Sequence, residues 1–122
     1  MTLDDFTALL ARLGEAASTG DAEGFAACFT PDATYHDYVY GPFTGRTAIA
    51  HMLKDHFHAQ ARDYDWRFFD PAVSGATGYA RSLSHFVSSV PEFEGKPVTI
   101  DGISRFALRD GLIAEYWESV NA

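Results

Sequence analysis

The chain has 122 residues, 47% of them apolar and 15% aromatic, enough for one domain with one core and too hydrophobic to stay disordered. Its 17 acids against 9 bases give a net charge of −8, a field that repels nucleic-acid phosphates and anionic membrane surfaces. No apolar run approaches the ~20 residues of a membrane helix, the opening MTLDDF carries acids where a signal peptide carries bases, and Cys28 is the one cysteine; a cytoplasmic protein is expected.

Thr2 caps a first helix in which Phe6, Leu9, Leu10, Leu13 and Ala17 recur at helical spacing. Asp4 and Asp5 suit its positive end, and Ser18, Thr19 and Gly20 close it. Asp21 opens a short second helix with Phe25 and Phe29 one turn apart, stopped by Pro31 and Asp32. Ala33 to Val39 alternates and is rich in Tyr, Thr and Val, the mark of a short strand. Gly41, Pro42 and Gly45 mark a loop. A third helix is predicted from about Arg46 to Ala59, with Ile49, Met52, Leu53, His56 and Phe57 on one buried stripe.

The period then becomes two. Tyr64, Trp66 and Phe68 alternate with Asp65, Arg67 and Phe69. A turn at Ser74 and Gly75 leads into a long strand from Gly78 to Val90, and Gly95 marks the next turn. Val98 to Leu108 and Leu112 to Val120 are two more strands, joined by the tight turn "RDG". Short turns make neighbouring strands antiparallel. The fold class expected is α+β over residues 1–122: three N-terminal helices packed in a strongly curved antiparallel sheet, a cone able to enclose a small ligand. Phe6, Leu10, Leu13, Phe25, Phe29, Ile49, Leu53 and Phe57 are the expected interior.

The segments "GDAEGFAACFTPDATYHD", "GPFTGRTAIAHML" and "RFALRDGLIAEYWESV" carry a likeness that covers nearly the whole chain. It resembles the SnoaL-like proteins of the nuclear transport factor two-like superfamily, which includes isomerases, dehydratases, cyclases, epoxide hydrolases and noncatalytic binders. Similarity to ketosteroid isomerase implies that Asp37 holds the general-base position. It puts Leu13 where that family has a tyrosine oxyanion donor, and Ser104 on or near its protonated acid. Both strong donors are missing, which disfavours a steroid isomerase. Asp37-Tyr38 also resembles the acid–tyrosine pair of scytalone dehydratase, whose sheet histidines have a loose counterpart in His85.

Asp37 stands among Tyr35, Tyr38, Val39, Tyr40 and Phe43, and burial among those rings would suit it to acid–base work; the competing reading is a solvated acid at a strand end. Tyr35 shares its face and either orients a substrate oxygen or is a core tyrosine. His85 shares a face with Tyr79, Arg81, Leu83 and Val87, which reads as a pocket wall or a surface. The opposite face, with Ser82, Ser84 and Phe86, suits packing on a second subunit. His51, His56 and His58 do not share one helix face, so no metal site is expected, and His56 reads as a pocket or core histidine. On the last strand Glu115, Trp117 and Ser119 alternate with Tyr116, Glu118 and Val120; the phase is open, with Trp117 the more natural wall. Trp66 is the other expected wall. No P-loop, G-x-G-x-x-G or G-x-S-x-G pattern is present, and no cofactor is expected.

Two functions remain. One is a cofactor-free isomerase, dehydratase or cyclase acting on a small apolar or polyketide- or steroid-like molecule, with Asp37, Tyr35 and His85 as catalytic groups and Leu13, His56, Trp66, Ser104 and Trp117 holding the substrate. The other is a noncatalytic ligand-binding or accessory protein, favoured if Asp37 lies at the pocket mouth or is neutralised by Arg46 or Arg81. A homodimer through the outer sheet face is expected in either case.

Overall fold

The computed structural model describes residues 1–37 and 39–120. Helix α1 (Leu3–Thr19) starts where the sequence puts it. The Thr2 side chain accepts the Asp5 N–H, and Gly20, at φ 76°, closes the helix in the left-handed conformation. Helix α2 (Ala22–Ala26) is a single turn and a half, capped by Asp21. Strand β1 (Phe29–Asp37) begins earlier than expected, because Phe29 already pairs with Ile113 and both Phe29 and Thr30 are buried. The "GPFT" segment is not a loop. It forms β2 (Gly41–Thr44), antiparallel to β1, with Tyr35 opposite Phe43.

The third helix departs most from its prediction. Helix α3 (Arg46–His51) gives way to a π-helical stretch, Met52–Phe57, and a 3-10 turn, His58–Gln60. The wider π turn rotates the stripe. Ile49, Met52 and Leu53 stay buried in the core, while His56 and Phe57 turn toward the sheet's open end.

Four long strands follow: β3 (Ala61–Ser74), β4 (Thr77–Ser88), β5 (Pro97–Arg109) and β6 (Leu112–Val120). The sheet order is β2-β1-β6-β5-β4-β3. All neighbours are antiparallel except β1 and β6, which run parallel, so the sheet is mixed rather than wholly antiparallel. Its curvature has local causes. Asp63 and Asp70 stand at φ 54° and 53° where the β3–β4 register slips, two bulges that bend the outer strand. The "RDG" turn places Asp110 and Gly111 both at positive φ, the geometry of a tight hairpin.

The helices fill the concave side, with α1 lying across β3. The core joins Phe6, Leu9, Leu13, Phe25, Phe29, Ile49, Leu53, Phe106, Ile113 and Tyr116. Phe6 meets Phe106 edge to face at 5.2 Å and lies over the backbone of Gly78, where a Cβ would come within 2.6 Å of its ring. Glycine is thus required at 78 by close approach, not by conformation. Among the described residues no helix is long and apolar enough to cross a membrane.

Phe6 is fully buried and holds α1 to the sheet centre. Phe6→Ala is expected to lower stability by about 3–5 kcal/mol, the usual cost of emptying a phenylalanine site, measured by urea unfolding at constant m-value.

Candidate functional site

The open end of the curved sheet holds a pocket of about 250 Å³. Three elements of different origin meet there. Strands β1 and β6 supply Tyr35, Asp37 and Glu118; strands β3 and β4 supply Tyr64, Trp66, Ser84 and Phe86; the π-helical stretch supplies His56 and Phe57. Tyr40, in the turn between β1 and β2, stacks on His56 at 4.6 Å and donates its hydroxyl to Gln60 Oε1, so this turn overhangs the mouth.

Among the described residues every fully buried side-chain nitrogen and oxygen has a hydrogen-bond partner. Trp66 Nε1 donates to Ser82 Oγ at 2.8 Å, and the Ser104 hydroxyl bonds the Tyr116 hydroxyl at 2.8 Å. Burial pushes the Tyr35, Tyr64 and Tyr116 hydroxyls up from the usual 10.0, most for Tyr35 and Tyr116, so these phenols keep their protons.

Asp37 lines the pocket near its mouth. Its Oδ2 accepts the backbone N–H groups of Val39 and Tyr40, at 3.0 and 2.8 Å, so part of its role is to hold the turn. Neither expected neutraliser reaches it: Arg46 donates to the Phe29 carbonyl and Arg81 forms a two-pronged pair with Asp101. Tyr38 lies outside the described residues.

Glu118 is the acid that sequence reasoning passed over. It sits deeper, one residue beyond the His36–Trp117 pairing that brings β1 alongside β6, and so beside Asp37. Burial raises its carboxyl above the usual 4.5; a hydrogen bond with Ser82 opposes this and the charge of Asp37 adds to it. The site therefore contains two carboxyl groups in unlike settings, one in a hydrogen-bonded turn and one among rings. Such pairs are what acid–base chemistry uses.

Several sequence expectations are corrected. His85 is not in the pocket; it is exposed on the outer sheet face, with Nδ1 bonded to the Thr99 hydroxyl at 2.9 Å. Trp117 also points outward, sandwiched between His36, stacked at 5.4 Å, and the Arg105 guanidinium at 4.0 Å. Leu13 is sealed in the core, and Ser104 lies beneath the pocket, spent on Tyr116; neither lines it. Ser82, Ser84 and Phe86 face inward rather than toward a second subunit. Tyr35, Asp37, His56 and Trp66 do line the pocket. Among the described residues no three metal-ligating side chains come together.

The reason for the missed acid is a bulge. Leu108 pairs with Ile113 and Ala107 with Glu115, so Ala114 is an extra residue on β6. The phase flips there: Ile113 faces in, and after the flip so do Tyr116 and Glu118. Strict alternation cannot reveal this. The available signal was Glu118 sharing a phase with Tyr116, two residues that would both need buried partners.

A helix-filled, curved sheet with a pocket at its open end is the nuclear transport factor two-like, ketosteroid isomerase-like class of fold. The chain belongs to the SnoaL-like domain family, whose model matches residues 10–116. Among solved structures it is similar to TsrD from Streptomyces laurentii, at 17% identity and a TM-score of 0.84 over 99% of this chain and 91% of that one. It is similar, at 16% identity and 0.79 over 91% and 83%, to a protein of ketosteroid isomerase-like fold from Catenulispora acidiphila in complex with trimethylamine. An epoxide hydrolase of the LEH-like type from Mycobacterium tuberculosis matches at 13% identity and 0.78 over 98% and 84%. These likenesses establish the fold. No curated protein matches the chain.

The raised carboxyl of Glu118 has a consequence for stability. In the unfolded chain Glu118 ionises near 4.5, whereas in the fold it holds its proton to higher pH. Its contribution is fully present below 4.5 and is lost as pH rises through the folded value. Glu118→Gln should therefore gain stability relative to the native chain as pH rises through this window, with a constant difference above it. Urea midpoints of the two proteins across the weakly acidic to neutral range check this; a difference that does not change with pH would refute it.

Proposed function

We propose that the chain is an acid–base enzyme of the isomerase, dehydratase or cyclase kind, working on a small, largely apolar substrate held among the pocket rings. The observation that carries this is Glu118, a carboxyl half-buried among aromatic side chains beside a second carboxyl, Asp37. Glu118 is the group that exchanges a proton with the substrate. Asp37 shapes its protonation and fixes the turn over the mouth. His85 has no part in it, being on the other side of the sheet. The chemistry needs two carboxyl groups and a largely apolar pocket, both supplied by this chain. A pocket of about 250 Å³ falls below the ~300–1,000 Å³ of drug-sized sites and favours a substrate smaller than a steroid. The small amine held by the Catenulispora neighbour supports a ligand of that size.

One observation favours the noncatalytic reading: Asp37 sits at the mouth and spends Oδ2 on the turn. The two readings separate in heavy water. Small carbonyl compounds, alcohols and amines are incubated with the protein in D₂O, and carbon-bound hydrogen exchange is followed by NMR. The native protein is expected to exchange at least one of them. Glu118→Gln should cut the rate by about 10²–10⁴-fold, the usual worth of a positioned acid or base, and Asp37→Asn by less. Binding without exchange in the native protein would make it a carrier.

We also propose a homodimer through the outer sheet face. Ile103 is 54% exposed and Tyr79 43% exposed at the centre of that face, on β5 and β4. Two large apolar side chains on a broad sheet are covered well by a second copy. Light scattering at micromolar concentration should give twice the chain mass, and Ile103→Glu should halve it without changing the urea midpoint of the monomer fold.

A further inference from the structure

The pocket's electrostatics are lopsided. Six rings surround it: Tyr35, Tyr40, Phe57, Tyr64, Trp66 and Phe86. Two carboxyl groups, Asp37 and Glu118, face into it. Among the described residues no Lys or Arg lines it, and His56 is the one lining side chain able to carry a positive charge. The rings enclose rather than sandwich the space. Phe57 stands at 65° to Tyr35 and at 62° to Trp66, while Tyr64 and Phe86 form a parallel pair at 5.1 Å.

Each ring face carries the negative end of a quadrupole and attracts a cation. An anionic ligand would meet two carboxyl groups and a wall of aromatic side chains, with no cationic side chain among the described residues but His56 to receive it. A neutral apolar ligand would use the rings but shield both acids from water, leaving Asp37 only the N–H groups of its turn and Glu118 only Ser82. A primary ammonium brings three donors that want acceptors at short range, whereas most of this wall is hydrocarbon. An alkylated ammonium satisfies the whole lining: its carbon shell packs on the rings and its charge is spread toward the acids.

We propose that the pocket takes a small alkylated organic cation, an N-methylated amine being the simplest form, lodged against the rings of Tyr64, Trp66 and Phe86 with its charge facing Asp37 and Glu118. Binding stands on the pocket alone; turnover of such a cation rests on the acid–base reading of Glu118 given above. The cation also has a consequence for that group. Glu118 is faced by Asp37 and Tyr35 on β1, Tyr64 on β3, Ser82 on β4, Tyr116 on its own strand and His56 across the cavity. None of the carboxyl and phenol groups among them supplies a positive charge. The ligand supplies it, so its arrival drives the Glu118 proton off and leaves a buried carboxylate, the form that acts as a base. The ligand would arm the residue that acts on it.

The test compares choline with 3,3-dimethylbutan-1-ol, which has the same shape with carbon in place of the charged nitrogen. Proton NMR reads binding as upfield ring-current shifts of the methyl signals, and calorimetry in buffers of different ionisation enthalpy counts protons. Choline is expected to bind at least about ten-fold more tightly than the alcohol, to release a proton on binding, and to tighten as pH rises. Glu118→Gln should abolish the proton release and bring the two affinities together. Phe86→Leu, which keeps the wall apolar but removes one ring face, should weaken choline several-fold and leave the alcohol nearly unchanged. Unfolding midpoints confirm that each variant is folded. Equal affinities in the native protein, or no choline binding at all, would overturn the cation assignment; so would choline binding that both variants leave untouched. Choline binding by a native protein that exchanges none of the carbonyl compounds, alcohols and amines in D₂O would uphold the cation site and discard the acid–base reading instead.

Discussion

Every polar atom carried inward by an aromatic side chain must find a partner in this interior, and that requirement organises the molecule. Trp66 is buried, so its indole N–H has to be answered, and Ser82 answers it from the next strand. Tyr116 is buried, and Ser104 answers it. The partners must be small, because the rings already fill the space. This is why β4 turns Ala80, Ser82, Ser84 and Ser88 to the concave side and sends Tyr79, Arg81 and His85 outward. Among the described residues no buried side-chain nitrogen or oxygen is left without a partner. A serine lost from this set would strand a ring's polar atom, at about 1–3 kcal/mol each.

The pocket is what this packing leaves over. Where α1 covers the sheet, Phe6, Leu9 and Leu13 close the interior against Phe106 and Ile113. The covering element over the other end is short and irregular: α3 runs for six residues and loosens into a π turn before reaching the rim. That change directs Phe57 and His56 over the gap without filling it. The rings at this end therefore line a cavity as well as meeting one another. Glu118 survives in such a place because Ser82 can bond it and because its proton can stay on. A strand end that is ringed and acidic is a setting in which proton transfer and cation binding use the same groups, and the two proposals share that geometry while resting on different atoms of it.

The outer face obeys different rules. There the charged and large side chains pair across strands: Arg81 with Asp101, and Arg105 over Trp117, whose other side is covered by His36. Trp117 is thus a sheet-surface residue held by a cation and an imidazole. Reading it as a pocket wall treated size as a guide to burial, whereas the neighbour strand decided its direction.

The sequence by itself determined the local elements. Thr2, the Phe6–Leu9–Leu13 stripe and Gly20 specify α1 completely, and "RDG" specifies the last hairpin, because caps and positive-φ turns are chemistry within a few residues. It also determined the family, through segments spread over most of the chain, and hence the cone. Only the tertiary structure decided which way the strands face. An extra residue at Ala114 flips β6, and a one-residue shift exchanges every inward side chain for an outward one, so Glu118 enters and Trp117 leaves. The same holds for the end of the third helix and for "GPFT", which pairs because β1 stands exposed beside it. Phase and pairing are fixed by partners distant in the chain, and a period of two read along one strand holds no information about them.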